Sequence, residues 1–122
     1  MPVPVTAESF ATTIGQGIVL LDWWAAWCGP CRAFAPIFEE AASRHPDVTF
    51  GKIDTDAEQA LAAQFNIRSI PTLMVWRDGI LLLSQPGVVP AAALDELITQ
   101  ARSLDMDEVR KEIEAKQAVA AK

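Results

Sequence analysis

The stretch Trp27-Cys28-Gly29-Pro30-Cys31 contains both cysteines of the 122-residue chain. Glycine lets a chain turn tightly, and proline suits the first turn of a helix, where its missing N–H is not needed. The run therefore predicts a helix that begins at the cysteines. Cys28 would lie at the positive end of the helix dipole, which favours its thiolate. Cys31 would follow one turn later, within reach of Cys28 but shielded from solvent.

Two thiols placed in this way satisfy both requirements of thiol–disulfide exchange, an accessible thiolate and a second thiol that resolves the mixed disulfide. Three other interpretations are weaker. A static disulfide would close a loop too small to remove much entropy from the unfolded chain, and a zinc ion would need two further ligands where only His45 is available. Two incidental core thiols would leave the neighbouring Trp, Gly and Pro unexplained. The run therefore predicts a dithiol–disulfide oxidoreductase.

Periodic apolar residues on either side of this run predict strands that alternate with helices. The segment 18–24 is apolar on both faces except for Asp22, which is typical of a central strand covered on both sides. Asp78-Gly79 predicts a hairpin turn. The other predicted elements are a short helix with Ala7, Phe10 and Ile14, a helix that starts at the cysteines and kinks at Pro36, a strand over 48–54, a helix with Ala57, Leu61 and Phe65, hairpin strands over 72–76 and 80–83, and a helix with Leu94, Leu97, Ile98 and Ala101. Alternation followed by a hairpin indicates an α/β domain with a mixed sheet and helices on both faces.

The last residues, 105–122, differ in character from the rest of the chain. Asp105 as an N-cap with Glu108 three residues later forms a capping-box pattern, which predicts an additional helix. Its apolar stripe is thin and consists of Met106, Val109 and Ile113. The helix can dock on the body, pair with another chain or remain solvated. So thin a stripe favours a solvated or frayed helix.

Composition and charge argue against several classes of function. Hydrophobic residues make up 51% of the chain and charged residues 21%, as in a globular protein able to bury a core. Ten basic against sixteen acidic residues give a net charge of −6, which argues against nucleic-acid binding, since that depends on Lys and Arg neutralising phosphates.

The longest apolar stretch, 18–27, is interrupted by Asp22 and too short to span a membrane, and residues 1–6 have no signal pattern. We expect a cytoplasmic protein, and we expect it to be a monomer.

Three residues outside the cysteine run also need an explanation. Burial of Asp22 in an apolar strand would raise its pKa, so it either takes the proton that the resolving thiol loses or is a structural polar group with a buried partner. Lys52 alternates with Val48 and Phe50 onto one strand face, which either directs its ammonium toward a buried carboxylate or lets it snorkel to water. Pro71 is either an ordinary residue at the start of a strand or part of a cis peptide that faces a partner.

Several motifs together resemble the thioredoxin family over residues 5–104. They are Asp22-Trp23-Trp24-Ala25, Trp27-Cys28-Gly29-Pro30-Cys31, Pro36, Lys52-Ile53-Asp54, Ile67-Arg68-Ser69-Ile70-Pro71-Thr72 and Gly87. The resemblance implies the thioredoxin fold, a five-stranded mixed sheet flanked by four helices, which we assign to a domain over 1–104. It says nothing about 105–122, which we treat as a helical extension. Trp23 stands where the family often has Phe, a change that we interpret as core packing.

The resemblance also implies roles for individual residues. Cys28 would be the nucleophile and Cys31 the resolving thiol, with Asp22 buried beneath Cys31, Lys52 beside it, and a cis Pro71 packed against the disulfide. A flat docking surface would consist of Trp27, Gly29, Pro30, Ile70, Pro71, Gly87 and Val88. The domain would bind no cofactor. It would reduce disulfides in client proteins and would itself be reduced by a flavin-containing, NADPH-dependent thioredoxin reductase.

Two other functions remain open from the sequence. A disulfide oxidase or isomerase would use the same chemistry, but such relatives usually carry His between the cysteines and act outside the cytoplasm, so Gly29-Pro30 favours the reductant. A binding module would use the tail helix as its interface, and the cysteines would then be secondary.

Overall fold

The computed structural model describes residues 1–120, in which a five-stranded sheet carries helices on both faces. The strands are β1 (Val3–Pro4), β2 (Ile18–Trp24), β3 (Thr49–Asp54), β4 (Thr72–Arg77) and β5 (Ile80–Pro86), and the helices are α1 (Phe10–Ile14), α2 (Gly29–Arg44), α3 (Gln59–Gln64), α4 (Ala91–Ser103) and α5 (Met106–Ala120). The strand order is β1-β3-β2-β4-β5. Because β2 pairs in parallel with β3 and antiparallel with β4, it is the central strand of a mixed sheet, as predicted. Of the helices in this part of the chain, none has the length and apolar character needed to cross a membrane.

Most predicted elements are confirmed, with differences at their ends. The hairpin turn has the conformation that the Asp-Gly pair favours, since Asp78 and Gly79 both have positive φ, 50° and 81°. Ala7 and Ala57 lie outside α1 and α3, because each helix is preceded by turns, and Phe65 is the C-cap residue that ends α3. The strand β1 is too short to have a periodicity of its own, and it forms by pairing with β3. Pro36 lies inside α2, and the kink there stays a prediction.

Alternate residues of β2 face opposite sides of the sheet, and each side has its own core. The core beside α1 and α3 includes Val19, Leu21 and Trp23. Leu20 belongs to the other core, with Phe34 and Phe38 of α2. By this alternation Asp22 is on the same face as Leu20, so the fold places a carboxylate on the side of the sheet that α2 covers.

Trp23 is fully buried, and its ring centroid lies 6.0 Å from that of Phe65. Phe65 also contacts Phe10 and Trp76, with centroids 5.0 and 5.9 Å apart. The interpretation of Trp23 as a core residue is therefore confirmed, and its larger ring is accommodated by an aromatic cluster.

The extension forms a helix, α5, but the expectation that it is solvated is wrong for its first turn. Asp105 caps the helix, since its Oδ1 accepts hydrogen bonds from the backbone N–H groups of Asp107 and Glu108 at 3.0 and 3.3 Å. Met106 is only 7% exposed. The start of the helix is thus buried through Met106, although the rest of its apolar stripe is thin.

Arg77 of β4 holds the junction between α4 and α5. Its Nη1 donates hydrogen bonds to the carbonyl oxygens of Ala101 and Leu104, at 2.7 and 2.8 Å. The last carbonyl groups of a helix lack partners within it and carry partial negative charge, so a guanidinium there stabilises the end of α4. This contact fixes the direction in which the chain leaves the domain.

We expect Met106→Ala to lower the free energy of unfolding by about 2 kcal/mol, because it removes most of a buried side chain. Leu104→Ala is the matched control, since Leu104 is 38% exposed, and should change stability by less than about 0.5 kcal/mol. Urea denaturation of the oxidised protein measures both. Equal stability of the two variants would contradict the docking of α5.

Candidate active site

Cys28 and Cys31 form a disulfide at the first turn of α2, with their Cα atoms 5.2 Å apart. Cys28 is the N-cap residue: its backbone is extended (φ −86°, ψ 113°), and its Sγ accepts a hydrogen bond from the backbone N–H of Cys31 at 3.2 Å. Pro30 stands in the first turn, where no backbone donor is required. The predicted start of the helix is therefore confirmed, and the Cys28 sulfur faces the positive end of the helix.

The two cysteines differ less in exposure than expected from the sequence. Cys28 is 4% exposed and Cys31 3% in this oxidised form, so exposure alone does not distinguish the two sulfur atoms. They differ instead in what they face, because Cys28 lines an open surface groove and Cys31 does not. This disulfide groove is lined by Trp27, Cys28, Gly29, Pro30, Thr55, Ile67, Arg68, Ser69 and Ile70.

The segment Ile70-Pro71 lies against the disulfide and contains a cis peptide bond, as the resemblance implied. The Ile70 carbonyl oxygen is 3.6 Å from the Cys28 Sγ. The Pro71 carbonyl oxygen accepts a hydrogen bond from the backbone N–H of Gly87 at 2.8 Å, and Gly87 has a φ of +95°, which favours glycine. Val88 is 42% exposed, whereas Pro71 is buried and offers little surface.

Trp27 is 68% exposed, and its Nε1 donates a hydrogen bond to Oδ2 of Asp56 at 3.0 Å. Asp56 was not predicted as a site residue, because no sequence pattern connects two residues that are 29 positions apart. It also left four residues of the disulfide groove out of the docking surface, namely Thr55, Ile67, Arg68 and Ser69. Three of these belong to a motif that carries the family resemblance, which is the signal that pointed to them.

Asp22 is fully buried, and within residues 1–120 neither of its carboxylate oxygens has a hydrogen-bond partner. Lys52 is its register partner on β3, and its Nζ lies 3.9 Å from Oδ2 of Asp22. The Lys52 Nζ is also 5.0 Å from the ring centroid of Trp24, and 23% of the side chain is exposed. The predicted approach of Lys52 to a buried carboxylate is therefore confirmed, and its ammonium keeps contact with solvent.

Burial raises the pKa of Asp22 from 3.8 to about 6, and the positive charge of Lys52 limits this rise. A carboxyl group with such a pKa gains and loses a proton close to neutral pH. Asp22 faces α2, and Cys31 is in the first turn of that helix. The Asp22 carboxyl group can therefore hold a proton in the interior, on the side of the disulfide that faces away from solvent.

His45 lies at the other end of α2, where it is the C-cap residue. The sixteen residues of this helix span roughly 24 Å, so His45 cannot share a zinc ion with the cysteines. Its Nε2 is 2.8 Å from Oδ1 of Asp95 instead. In the described range, no group of three or more His, Cys, Asp or Glu side chains is placed to hold a metal ion.

A disulfide that caps a helix and borders an open groove is placed to react rather than to brace the fold, and such a site on this sheet defines a protein-disulfide oxidoreductase. The family model described as Thioredoxin matches residues 1–100. The chain belongs to the thioredoxin family, and its fold is the thioredoxin fold.

Relatives and solved structures agree with this assignment. The chain is 51% identical over 119 residues to "Putative thioredoxin 2" of Streptomyces coelicolor, which covers 97% of this chain and 89% of the relative. It is 40% identical over 99 residues to the thioredoxin of Bacillus subtilis, covering 80% and 95%. The crystal structure of Malassezia sympodialis thioredoxin superposes with a TM-score of 0.74 at 28% identity, over 83% of this chain and 90% of that one.

The chain is therefore a thiol–disulfide reductant that acts on disulfides in client proteins and is itself reduced by a thioredoxin reductase, as its family is. Its redox group is the Cys28–Cys31 pair, because thioredoxins carry this group in the polypeptide and not in a bound cofactor.

Proposed function

We propose that Cys28 is the nucleophile that attacks client disulfides and that Cys31 resolves the mixed disulfide. The observation that carries this proposal is the position of Cys28 at the N-cap of α2, where its sulfur accepts the Cys31 N–H. In the reduced protein the same donor and the helix dipole would favour a thiolate at Cys28. Cys28 is also the cysteine that lines the disulfide groove, where a client sulfur can approach.

The proposed reaction transfers two electrons in two exchange steps. The Cys28 thiolate attacks one sulfur of the client disulfide, which forms a Cys28–client bond and releases the other client sulfur as a thiolate. The Cys31 thiol then loses its proton and attacks the Cys28 sulfur. The Cys28–Cys31 disulfide forms, the second client sulfur leaves as a thiolate, and the client is reduced.

Asp22 is the proposed acceptor of the Cys31 proton. It is a buried carboxylate without hydrogen-bond partners in the described chain, and it faces the helix that carries Cys31. Its pKa of about 6 lets it be ionised at neutral pH and still hold a proton for a time. Lys52, 3.9 Å away, favours the ionised state and returns Asp22 to it after each cycle.

We expect Asp22→Asn to lengthen the lifetime of the mixed disulfide about tenfold at pH 7, because the amide cannot take the proton from Cys31. Acid quenching followed by mass spectrometry of the covalent complex measures this lifetime. The effect should shrink at alkaline pH, since hydroxide in the solvent then removes the proton from Cys31. An unchanged lifetime across neutral pH would make Asp22 a purely structural residue.

The proposed docking surface surrounds the disulfide and consists of Trp27, Gly29, Pro30, Ile70, Pro71, Gly87 and Val88. Support comes from the exposure of Trp27 and Val88 and from the hydrogen bond that joins Gly87 to Pro71. We propose that this surface also meets the reductase, a flavin enzyme that uses NADPH. The proposed location is the cytoplasm, where thiols are kept reduced, and the proposed oligomeric state is a monomer.

Residues 1–104 form the proposed active domain, with 105–122 as an extension, because every proposed catalytic and docking residue precedes position 105. NADPH oxidation in the presence of a thioredoxin reductase and a disulfide-containing protein tests the function. The full chain should support continuous oxidation, and a chain that ends at Leu104 should support it at the same rate. No oxidation by either form would contradict the proposed function, and a loss confined to the shorter chain would contradict the domain division.

A further inference from the structure

The disulfide groove has an unusual distribution of charge around it. Residues 1–104 contain six basic side chains. Four of them lie within 4.0 Å of a carboxylate, in the pairs Arg44–Asp95, Lys52–Asp22, Arg77–Asp78 and Arg102–Asp47. The remaining two, Arg32 and Arg68, have no carboxylate within that distance in the described chain. Arg68 lines the disulfide groove, and Arg32 lies beside its residue Gly29.

Arg68 lines the groove directly and is the only charged residue that does so in the described chain. Its Nε donates a hydrogen bond to Oδ1 of Asn66 at 2.9 Å. Asn66 has a φ of 54°, in the left-handed region that asparagine tolerates better than most residues. This contact orients the guanidinium through its Nε, and its terminal Nη groups remain available to a ligand.

Arg32 lies next to the groove, because it follows Cys31 in the first turns of α2. One guanidinium nitrogen, Nη1, donates to the carbonyl oxygen of Ala26 at 2.9 Å. The other, Nη2, lies 4.0 Å from the position of a Cβ on Gly29, which is itself a residue of the groove. Arg32 is therefore also held in place by a neutral acceptor.

Among the described residues, the carboxylate that is hydrogen-bonded to a side chain of the groove is Asp56, whose Oδ2 accepts a hydrogen bond from the Trp27 indole. Two guanidinium groups and one carboxylate give the disulfide groove a local excess of positive charge, although the net charge of the chain is −6. The net negative charge of the protein repels anionic partners at long range. The positive charge of the disulfide groove therefore attracts only carboxylates that come close to it.

We propose that the disulfide groove selects client disulfides flanked by acidic residues, with Arg68 in the groove and Arg32 beside it pairing with carboxylates next to the client cystine. The inference rests on the proposed function, since it assumes that clients enter this groove. Arginine suits the role because its guanidinium stays charged and can bind a carboxylate with two hydrogen bonds.

The test compares two synthetic peptides with the same internal disulfide, one with Glu and one with Gln beside each cysteine. The protein is reduced in advance with a small dithiol, which is then removed, so that no reductase is present. Single-turnover reduction of each peptide is followed by acid quenching and chromatography. The variants are the double substitution Arg32→Gln with Arg68→Gln and, as a matched control on the same helix, Arg44→Gln.

The Glu peptide should be reduced about fivefold faster than the Gln peptide at low ionic strength, as two exposed ion pairs permit. This preference should fall toward unity at about 0.5 M salt, vanish in the double variant and persist in Arg44→Gln. Equal rates for both peptides with the unmodified chain, or a preference that survives in the double variant, would overturn the inference. The Gln peptide tests the proposed function separately: if it is reduced by the unmodified chain but not by Cys28→Ser, the function holds whatever the ratio.

Discussion

Cys28→Ser is expected to lower the rate of disulfide reduction at least about a thousandfold, to that of the uncatalysed reaction. A serine hydroxyl forms neither a thiolate nor an S–S bond, so both exchange steps lose their central atom. Serine is a preferred N-cap residue, and its oxygen can accept the Cys31 N–H that the Cys28 sulfur now accepts. The loss should therefore occur in a folded protein with α2 in place, which circular dichroism checks beside the NADPH assay.

Cys31→Ser is the matched variant, because it removes the other sulfur of the same disulfide. It retains the attacking thiol and lacks the resolving one, so it should accumulate a covalent complex of one client per chain that a dithiol reverses. Mass spectrometry under non-reducing conditions measures this complex. Complexes that form with Cys28→Ser and not with Cys31→Ser would reverse the proposed roles. Undiminished turnover of Cys28→Ser would instead contradict the role of Cys28 as the nucleophile.

Asp22→Asn is expected to raise the free energy of unfolding by about 3 kcal/mol at pH 8, since each pKa unit corresponds to about 1.4 kcal/mol. Burial raises the pKa of Asp22 to about 6 in the folded protein, whereas in the unfolded chain it is near 3.8. Below pH 4 both states hold the proton, and ionisation costs the fold nothing. Between pH 4 and 6 the folded state binds the proton more strongly, so stability falls as the pH rises, and above pH 6 the full cost is present. An uncharged amide avoids that cost.

Asp95→Asn is the control with the opposite sign. The hydrogen bond from His45, followed by the contacts with Arg44, lowers the pKa of Asp95, so its ionised form stabilises the folded state above the ordinary carboxyl range. Its replacement should reduce stability at neutral pH, and the difference should disappear as the solution becomes acidic. Urea denaturation of the oxidised variants between pH 2 and 8 measures both, since the effect of Asp95 is lost only below its ordinary pKa of 3.8. A pH-independent effect of Asp22→Asn would show that its carboxylate is not the source of the instability.

The cost of ionised Asp22 to stability and its proposed role as proton acceptor have one physical cause. The same burial that destabilises the ionised carboxylate brings its pKa into the range of a proton acceptor at neutral pH. If Asp22→Asn is more stable and yet resolves mixed disulfides more slowly, Asp22 lowers stability and raises the rate of resolution, a stability–activity trade-off.

Much of the site could be predicted from the sequence because its determinants are local. Cys28-Gly29-Pro30-Cys31 combines an N-cap with first-turn residues, and these preferences act within one helical turn. Strand alternation likewise places Asp22 and Lys52 on the face that carries Leu20 and Phe50, and the structure joins their side chains at 3.9 Å.

Other features depend on segments that are distant in sequence. The hydrogen bond from Trp27 to Asp56 spans 29 residues, and the one from Arg77 to Ala101 spans 24. No propensity or periodicity acts over such distances, so these contacts exist only after the sheet has packed its helices. The near-complete burial of Cys28 has the same origin, because the Ile70 carbonyl that covers its sulfur comes from the opposite side of the site.

The sequence by itself thus determined the cysteine chemistry, the helix that begins at it, the strand alternation that turns a carboxylate toward that helix, and the mixed α/β architecture. Each of these follows from preferences that operate over a few residues. Tertiary structure alone decided which distant residues surround Cys28 in the groove, how the extension attaches through Met106, and that within residues 1–120 no carboxylate pairs with Arg32 or Arg68. These properties depend on the distances between side chains of different elements, and packing sets those distances.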